Sequence, residues 1–398
     1  MATNTRPASG GSTNGKGTGK KKSNKNAKLI VFAIEILVII AMIFVVWKVW
    51  DTTGDGEGAN IHEGYEAPSD AGINPSIQQA IDEANKNPGV SNETTTPTEP
   101  LKIVDYWNIA LFGLDATKPN HLYKGSRSDS IMIASIHKET GEIKLVSVYR
   151  DTFLNVGNDK YTKCNAAYSN GGADQAISML NMNLDLNITD FVAVGYPALI
   201  ECIDALGGVW VDVDKEELKH INNYQQSIIR DVASLANYEI VKVTQTGNQL
   251  LNGLQASAYC RIRQTSGDDF KRAERQREVI KAMTEKAQNA NLDTLLEVVK
   301  AVAPNVYSTF DLSDTAKMTE LLKNITKYKI VEEGGFPTEE LRTTGNIGAE
   351  GSCVIPLSLE ANVVELHRFL FGEENYEVSD EVKECSQTVT AKTAPYLK

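Results

Sequence analysis

Four short clusters between Ser126 and Gln276 carry the side chains best suited to chemistry. They are Arg127-Ser128-Asp129, Tyr149-Arg150-Asp151-Thr152, Arg261-Ile262-Arg263 and Asp269-Phe270-Lys271-Arg272-Ala273-Glu274-Arg275-Gln276. Brought together, they make a pocket of guanidinium groups around one or two carboxylates, which suits a diphosphate and a divalent metal ion. The i, i+2 spacing of Arg261 and Arg263 points both side chains to one face of an extended segment. Arg272, Arg275 and Gln276 stand at i, i+3 and i+4, on one face of a helix. Taken singly, each cluster has an ordinary reading as a turn former, a solvated edge or a local salt bridge. Four of them in one domain, each at the end of a predicted element, are more specific.

The elements that position them alternate in type. Trp107–Leu114 reads as a buried strand ending at Asp115, and Asp129–Ile136 and Ile143–Val148 as strands joined by the turn Lys138-Glu139-Thr140-Gly141-Glu142. Helices are expected at Asp174–Leu184, Pro197–Leu206, Asn252–Tyr259, Asp269–Asn289, Leu292–Val302 and Ser313–Tyr328, with strands at Phe191–Val194 and Val209–Val213. Strands alternating with helices predict an α/β fold, a three-layer α-β-α sandwich whose central sheet the early hairpin makes mixed. If the first two strands pair antiparallel, Asp115 and Asp129 come together and could share one Mg²⁺. Arg150 joins them only if the third strand runs parallel to the first.

Ahead of this domain, Leu29–Trp47 is apolar except for Glu35. At 1.5 Å per residue such a run spans roughly 28 Å as a helix, enough to cross a bilayer core. Residues 1–28 hold Arg6 and six lysines but no acid, which places the N-terminus in the cytoplasm and the rest outside. The expected organisation is a disordered basic tail over 1–28, a transmembrane helix over 29–50 and an extracellular stalk over 51–100. A globular domain over 101–382 and a C-terminal tail over 383–398 follow. Within the stalk, Ile77–Asn85 has the pattern of a short helix.

Charge narrows the choice of partners. Taking the seven cations of the tail from the net charge of −12 leaves −19 for the remainder, which excludes nucleic-acid binding through bulk charge. Any anion must be held by a local cluster. Of the five cysteines, Cys164, Cys202 and Cys260 sit in apolar or helical patterns and read as buried small hydrophobes. Cys353 and Cys385 flank the last predicted helix, and the sequence leaves their pairing open. No Cys/His spacing points to zinc.

In these stretches the chain resembles the LytR-CpsA-Psr family of cell-envelope transferases. The similarity is carried by Asn108–Asp115, Arg127–Met132, Val146–Thr152, Lys163–Tyr168 with Gly171-Gly172, Ile203–Val209, Gly253–Arg263 and Asp269–Gln276, in the family's order. Two positions depart from the family's pattern: Tyr149 stands where proline is usual, and Cys164 where an apolar residue follows the lysine. The resemblance implies that 101–382 is a catalytic domain transferring a glycopolymer from a polyprenyl diphosphate carrier to peptidoglycan, with the lipid in an apolar tunnel. It implies Mg²⁺ (or Mn²⁺) on Asp115 and Asp129, and a diphosphate cradle of Arg127, Arg150, Lys163, Arg261, Arg263, Arg272 and Gln276. Asp269, with Asp268 as the alternative, is the implied base for the acceptor's proton. The setting implied is a Gram-positive type envelope. A polyprenyl-diphosphate hydrolase or lipid-binding protein would use the same pocket. An envelope-linked transcriptional attenuator finds no support in an acidic outer domain with a short, unpatterned tail.

Overall fold

Strand β1 (Tyr106–Leu114) sends alternate side chains to opposite sides, and both sides are covered: Ile109 packs into one apolar cluster, Ala110, Phe112 and Leu114 into another. That is the signature of a strand buried on both faces. The computed structural model describes residues 71–86, 102–116, 122–123, 125–263, 268–290, 294, 298, 306–309 and 329–397. The basic tail, the apolar run at 29–47 and the expected helix at 313–328 lie outside the described residues, as does most of 292–302. Among the described residues, no helix is long and apolar enough to cross a membrane.

The central sheet is mixed and six-stranded. Its members are β1, β2 (Ser128–His137), β3 (Glu142–Val148), β6 (Asp190–Val194), β9 (Val306–Ser308) and β10 (Lys329–Phe336), in the spatial order β10-β3-β2-β1-β6-β9. β2 runs antiparallel to β1 and β3, while β6 is parallel to β1 and β10 is parallel to β3. The carboxyl ends of β1, β3, β6 and β10 therefore share one edge of the sheet, the edge at which ligands bind in open α/β sheets. Three two-stranded antiparallel sheets complete the strands: β4 (Phe153–Asn155) with β5 (Tyr161–Lys163), β7 (Val209–Val213) with β8 (Gly247–Leu251), and β11 (Arg342–Asn346) with β12 (Ser352–Pro356).

Helices cover both faces. On one side the core joins sheet residues to α3 (Tyr196–Ala205), α4 (Lys215–Asp231), α5 (Gly253–Arg261) and α6 (Asp268–Gln288). On the other it joins them to α1 (Pro75–Lys86), α2 (Ala166–Leu184), α7 (Leu359–Phe371) and α8 (Asp380–Thr393). Within α2 two helical segments meet at a kink where Gly171 and Gly172 leave helical dihedrals (φ −139° and 74°), and the helix expected from Asp174 is the segment after that kink. Helix α4 went unread from the sequence although Asp214 and Glu217 form a reciprocal capping box at its start.

Both domain boundaries differ from expectation. Ile77 is only 1% exposed, Asn74 donates to Asp185 and Asn181 donates to the Ala71 carbonyl, so the first described residues are already part of the domain. At the other end, α8 buries Val382, Cys385 and Val389, so 383–398 is no tail. Apolar burial extends the domain in each direction beyond what motif boundaries suggest. All five cysteines are free and buried, Cys353 and Cys385 included, which closes the question of their pairing.

Candidate active site

The antiparallel pairing of β1 with β2 sets Leu114 opposite Ser128, and the Asp115 N–H donates to the Arg127 carbonyl at 3.1 Å. Because β3 is parallel to β1, Arg150 reaches the same edge. Its Nη1 lies 2.5 Å from Oδ1 of Asp129. From the helical layer, Arg263 Nη2 approaches Asp129 Oδ2 at 3.8 Å, and Arg272 Nη2 donates to the Asp129 carbonyl at 3.3 Å. Asp129 is thus the hub on which three arginines from three elements converge.

Arg261 closes α5 and Arg263 follows an extended Ile262, so the expected extended segment is half helix end, half strand-like. Ile262 is fully buried between them and pins the backbone. Arg275 fixes the same segment from behind, its Nη1 donating to the Ile262 carbonyl at 3.0 Å and its Nε to Glu217 at 2.7 Å. Sharing a helix face with Arg272 did not bring Arg275 to the cavity. Arg261 stacks 4.9 Å from the centroid of Tyr196 and lies 3.7 Å from Asp231. Tyr196 was not singled out from the sequence, though its place just after β6 was the available signal.

These groups rim a cavity of about 660 Å³. Asp115, Arg127, Asp129, Arg150, Arg261, Arg263, Arg272 and Gln276 all line it, as expected. Deeper in, the walls are apolar: Leu111, Met132 and Val192 from the sheet, Leu199, Ile280 and Met283 from the helices. Lys163 is the exception among the expected cradle residues. It is absent from the lining and pairs instead with Asp151 at 3.1 Å, whose other oxygen lies 3.5 Å from Arg150 Nε. The rest of its segment clamps the same turn: Cys164 N donates to the Thr152 carbonyl and Asn165 N to that of Arg150. Asp269 belongs to the first turn of α6, but its side chain, like that of Asp268, lies outside what the structure describes.

The electrostatics bear on the metal. Burial, and next the charge of Asp129, push the Asp115 carboxyl above the ordinary aspartate range, while Arg261 and Arg263 pull it back. A divalent cation between the aspartates would relieve that cost. Among the described residues, no group of three or more His, Cys, Asp or Glu could hold a metal ion. The two carboxylates therefore fit an ion only together with oxygens of its ligand. Burial also raises the Tyr196 hydroxyl and pushes the cavity-lining Cys260 thiol up to about 12, so neither is an ionised nucleophile.

An apolar cavity opening on a rim of arginines and aspartates defines a class of protein: an α/β domain that can take an amphiphile by its anionic head. Residues 74–352 match the profile of the LytR_cpsA_psr family, and the chain belongs to that family. It is 25% identical over 311 residues to the polyisoprenyl-teichoic acid–peptidoglycan teichoic acid transferase TagV of Bacillus subtilis (strain 168), spanning 76% of this chain and 68% of that protein. With the transferase TagU of Bacillus cereus (strain AH820) the identity is 30% over 262 residues, 64% of this chain and 75% of that protein. The crystal structure of protein gbs0355 from Streptococcus agalactiae shares the fold, with a TM-score of 0.55 at 22% identity over 72% of this chain and 93% of the other.

Proposed function

We propose that the protein is a membrane-anchored phosphotransferase that moves a glycopolymer from a polyprenyl diphosphate carrier onto peptidoglycan. The observation that carries this is the junction of charge and grease. Five arginines and Gln276 rim a cavity whose depth is apolar, the shape complement of an isoprenoid diphosphate. The names of the relatives, polyisoprenyl-teichoic acid–peptidoglycan teichoic acid transferases, support the same donor and acceptor classes.

In the reaction, an acceptor hydroxyl of peptidoglycan attacks the phosphorus that bears the glycopolymer. The new O–P bond forms as the bond to the bridging oxygen breaks, and polyprenyl phosphate leaves with the electron pair. Arg150, Arg261, Arg263 and Arg272 bind and orient the two phosphoryl groups and stabilise charge as it shifts to the leaving oxygen. Asp269 is the proposed base for the hydroxyl proton. A Mg²⁺ or Mn²⁺ ion held by Asp115 and Asp129 with phosphate oxygens would supply further charge neutralisation. The apolar stretch at 29–47 would hold the domain at the outer membrane surface, where the carrier resides.

The full chain in detergent, given a lipid-linked polymer and peptidoglycan, is expected to yield covalent polymer–peptidoglycan joined by a phosphodiester, together with polyprenyl phosphate. Release of free polymer phosphate alone would make the protein a hydrolase and overturn the reading. Protease added to intact protoplasts is expected to remove the domain. A domain protected until lysis would overturn the proposed topology.

A further inference from the structure

Arg342, the first residue of β11, lies outside the cradle but beside it. It stacks on two rings brought in from separate parts of the chain. Its guanidinium carbon is 4.0 Å from the centroid of Phe270 and 4.9 Å from that of Tyr149, and the two rings meet edge to face at 4.7 Å and 90°. Tyr149 immediately precedes Arg150, and Phe270 stands two residues before Arg272, so this platform borders the charged rim at both contacts. Its construction is tight: a Cβ on Gly335 would come within 2.1 Å of the Tyr149 hydroxyl oxygen and displace that ring.

One side of the guanidinium is committed. Nη1 donates to the Pro337 carbonyl at 3.0 Å and toward the Tyr149 hydroxyl at 3.4 Å. The other edge, Nε with Nη2, has no hydrogen-bond partner among the described residues, and none of their carboxylates pairs with Arg342. In a chain of net charge −12, a half-buried arginine that no carboxylate among the described residues neutralises stands out. The Nε–Nη2 edge is the fork that binds a carboxylate through two parallel hydrogen bonds. Stacking on Phe270 and Tyr149 fixes its plane in advance, which lowers the ordering cost of binding.

We propose that Arg342, braced by Tyr149 and Phe270, binds a carboxylate of the incoming acceptor and so positions its hydroxyl at the cradle. The inference rests on the transfer reading above and names the acceptor side of that site. The donor's phosphates have their own arginines inside the cavity, whereas Arg342 does not line it. Peptidoglycan supplies the required chemistry, since its stem peptides carry free carboxylates. Phosphodiesters of the donor polymer are the competing anions.

The test uses the full chain in detergent with one lipid-linked donor and two synthetic muropeptide acceptors, one with free carboxylates and one with carboxamides. The wild type is expected to show an acceptor KM roughly tenfold lower for the free carboxylate, the size of one charge-assisted pair. Arg342→Gln is expected to raise that value to the carboxamide level while leaving donor affinity and thermal midpoint in place. Arg342→Lys is expected to recover only part of the difference, because the point charge remains and the fork is lost. Equal KM values for both acceptors in the wild type would overturn the inference without touching the transfer reading. Loss of donor affinity in Arg342→Gln would overturn it in favour of the polymer's phosphodiesters. No covalent product from the wild type with either acceptor would overturn the transfer reading and this inference with it.

Discussion

Lys163 Nζ lies 3.1 Å from Oδ1 of Asp151, and the second oxygen of that carboxylate lies 3.5 Å from Nε of Arg150. The lysine reaches the cavity through two other side chains. With Asp151 only 8% exposed, removing one member leaves the others poorly compensated. Lys163→Ala is expected to weaken donor binding by a loosened Arg150 rather than by a lost phosphate contact. Its effect and that of Arg150→Ala should then be strongly non-additive in a double-mutant cycle of donor affinity. Strict additivity would make Lys163 an independent phosphate ligand.

Arg261 and Arg263 flank the buried Ile262 and face the rim together. Arg261→Ala and Arg263→Ala are each expected to abolish measurable transfer, each removing charge-assisted contacts of about 1.5–3 kcal/mol. The fold should survive, because Ile262 and Arg275 hold the backbone in place. Unchanged turnover in either variant, at matched thermal midpoint, would remove that residue from the cradle.

Metal and donor are expected to bind cooperatively. Asp115 and Asp129 supply too few oxygens for Mg²⁺ by themselves, so phosphate oxygens and water must complete its coordination. Asp129→Ala should lose both ligands, since it also releases Arg150 and Arg263. Calorimetry with a polyprenyl diphosphate, in EDTA and in millimolar Mg²⁺, checks this. Equal donor affinity in the two conditions would leave the aspartates as orienters of arginines.

Asp115 makes a prediction about pH. Its folded-state carboxyl titrates above the ordinary aspartate range, with burial the main cause. Folding therefore favours its protonated form, and stability falls as pH rises from the unfolded-state value through the raised folded value. Asp115→Asn should raise the thermal midpoint of the metal-free, donor-free protein at neutral pH while abolishing Mg²⁺-dependent transfer. The gain should shrink as pH drops through the carboxylate range. A gain independent of pH would point to packing instead of ionisation.

Much of this site was legible because strand ends are. Asp115, Asp129 and Arg150 each sit where a predicted strand begins or stops, and the antiparallel pairing of β1 with β2 and the parallel sense of β3 against β1 had to be found in the structure. Side-chain direction was less legible. Adjacent residues on a helix differ in angle by roughly 100°, and that rotation separates Arg275, turned to Glu217, from Gln276, turned to the cavity. In β5 the short strand gives no hint whether Lys163 faces the rim or the turn beside it. The motif-poor C-terminal third hid Arg342, whose partners Tyr149 and Phe270 are distant in sequence. Its edge strand β10 is too polar for an alternation argument.

The turn that carries Arg150 is closed from far along the chain: Val354 N donates to the Asp151 carbonyl at 2.9 Å, and Thr152 pairs with Val354 in an isolated parallel bridge. A polypeptide emerging from a ribosome or a secretion channel folds from its N-terminal end first. It would display the sheet's first strands and most of the arginines well before β12 exists to lock that turn. We therefore expect a chain ending before Ser352 to bind donor poorly even where its sheet has formed, a deficit that donor titration of such a truncation would expose or refute. Completion of the polypeptide would then serve as the protein's own quality control, so that unfinished copies do not hold donor.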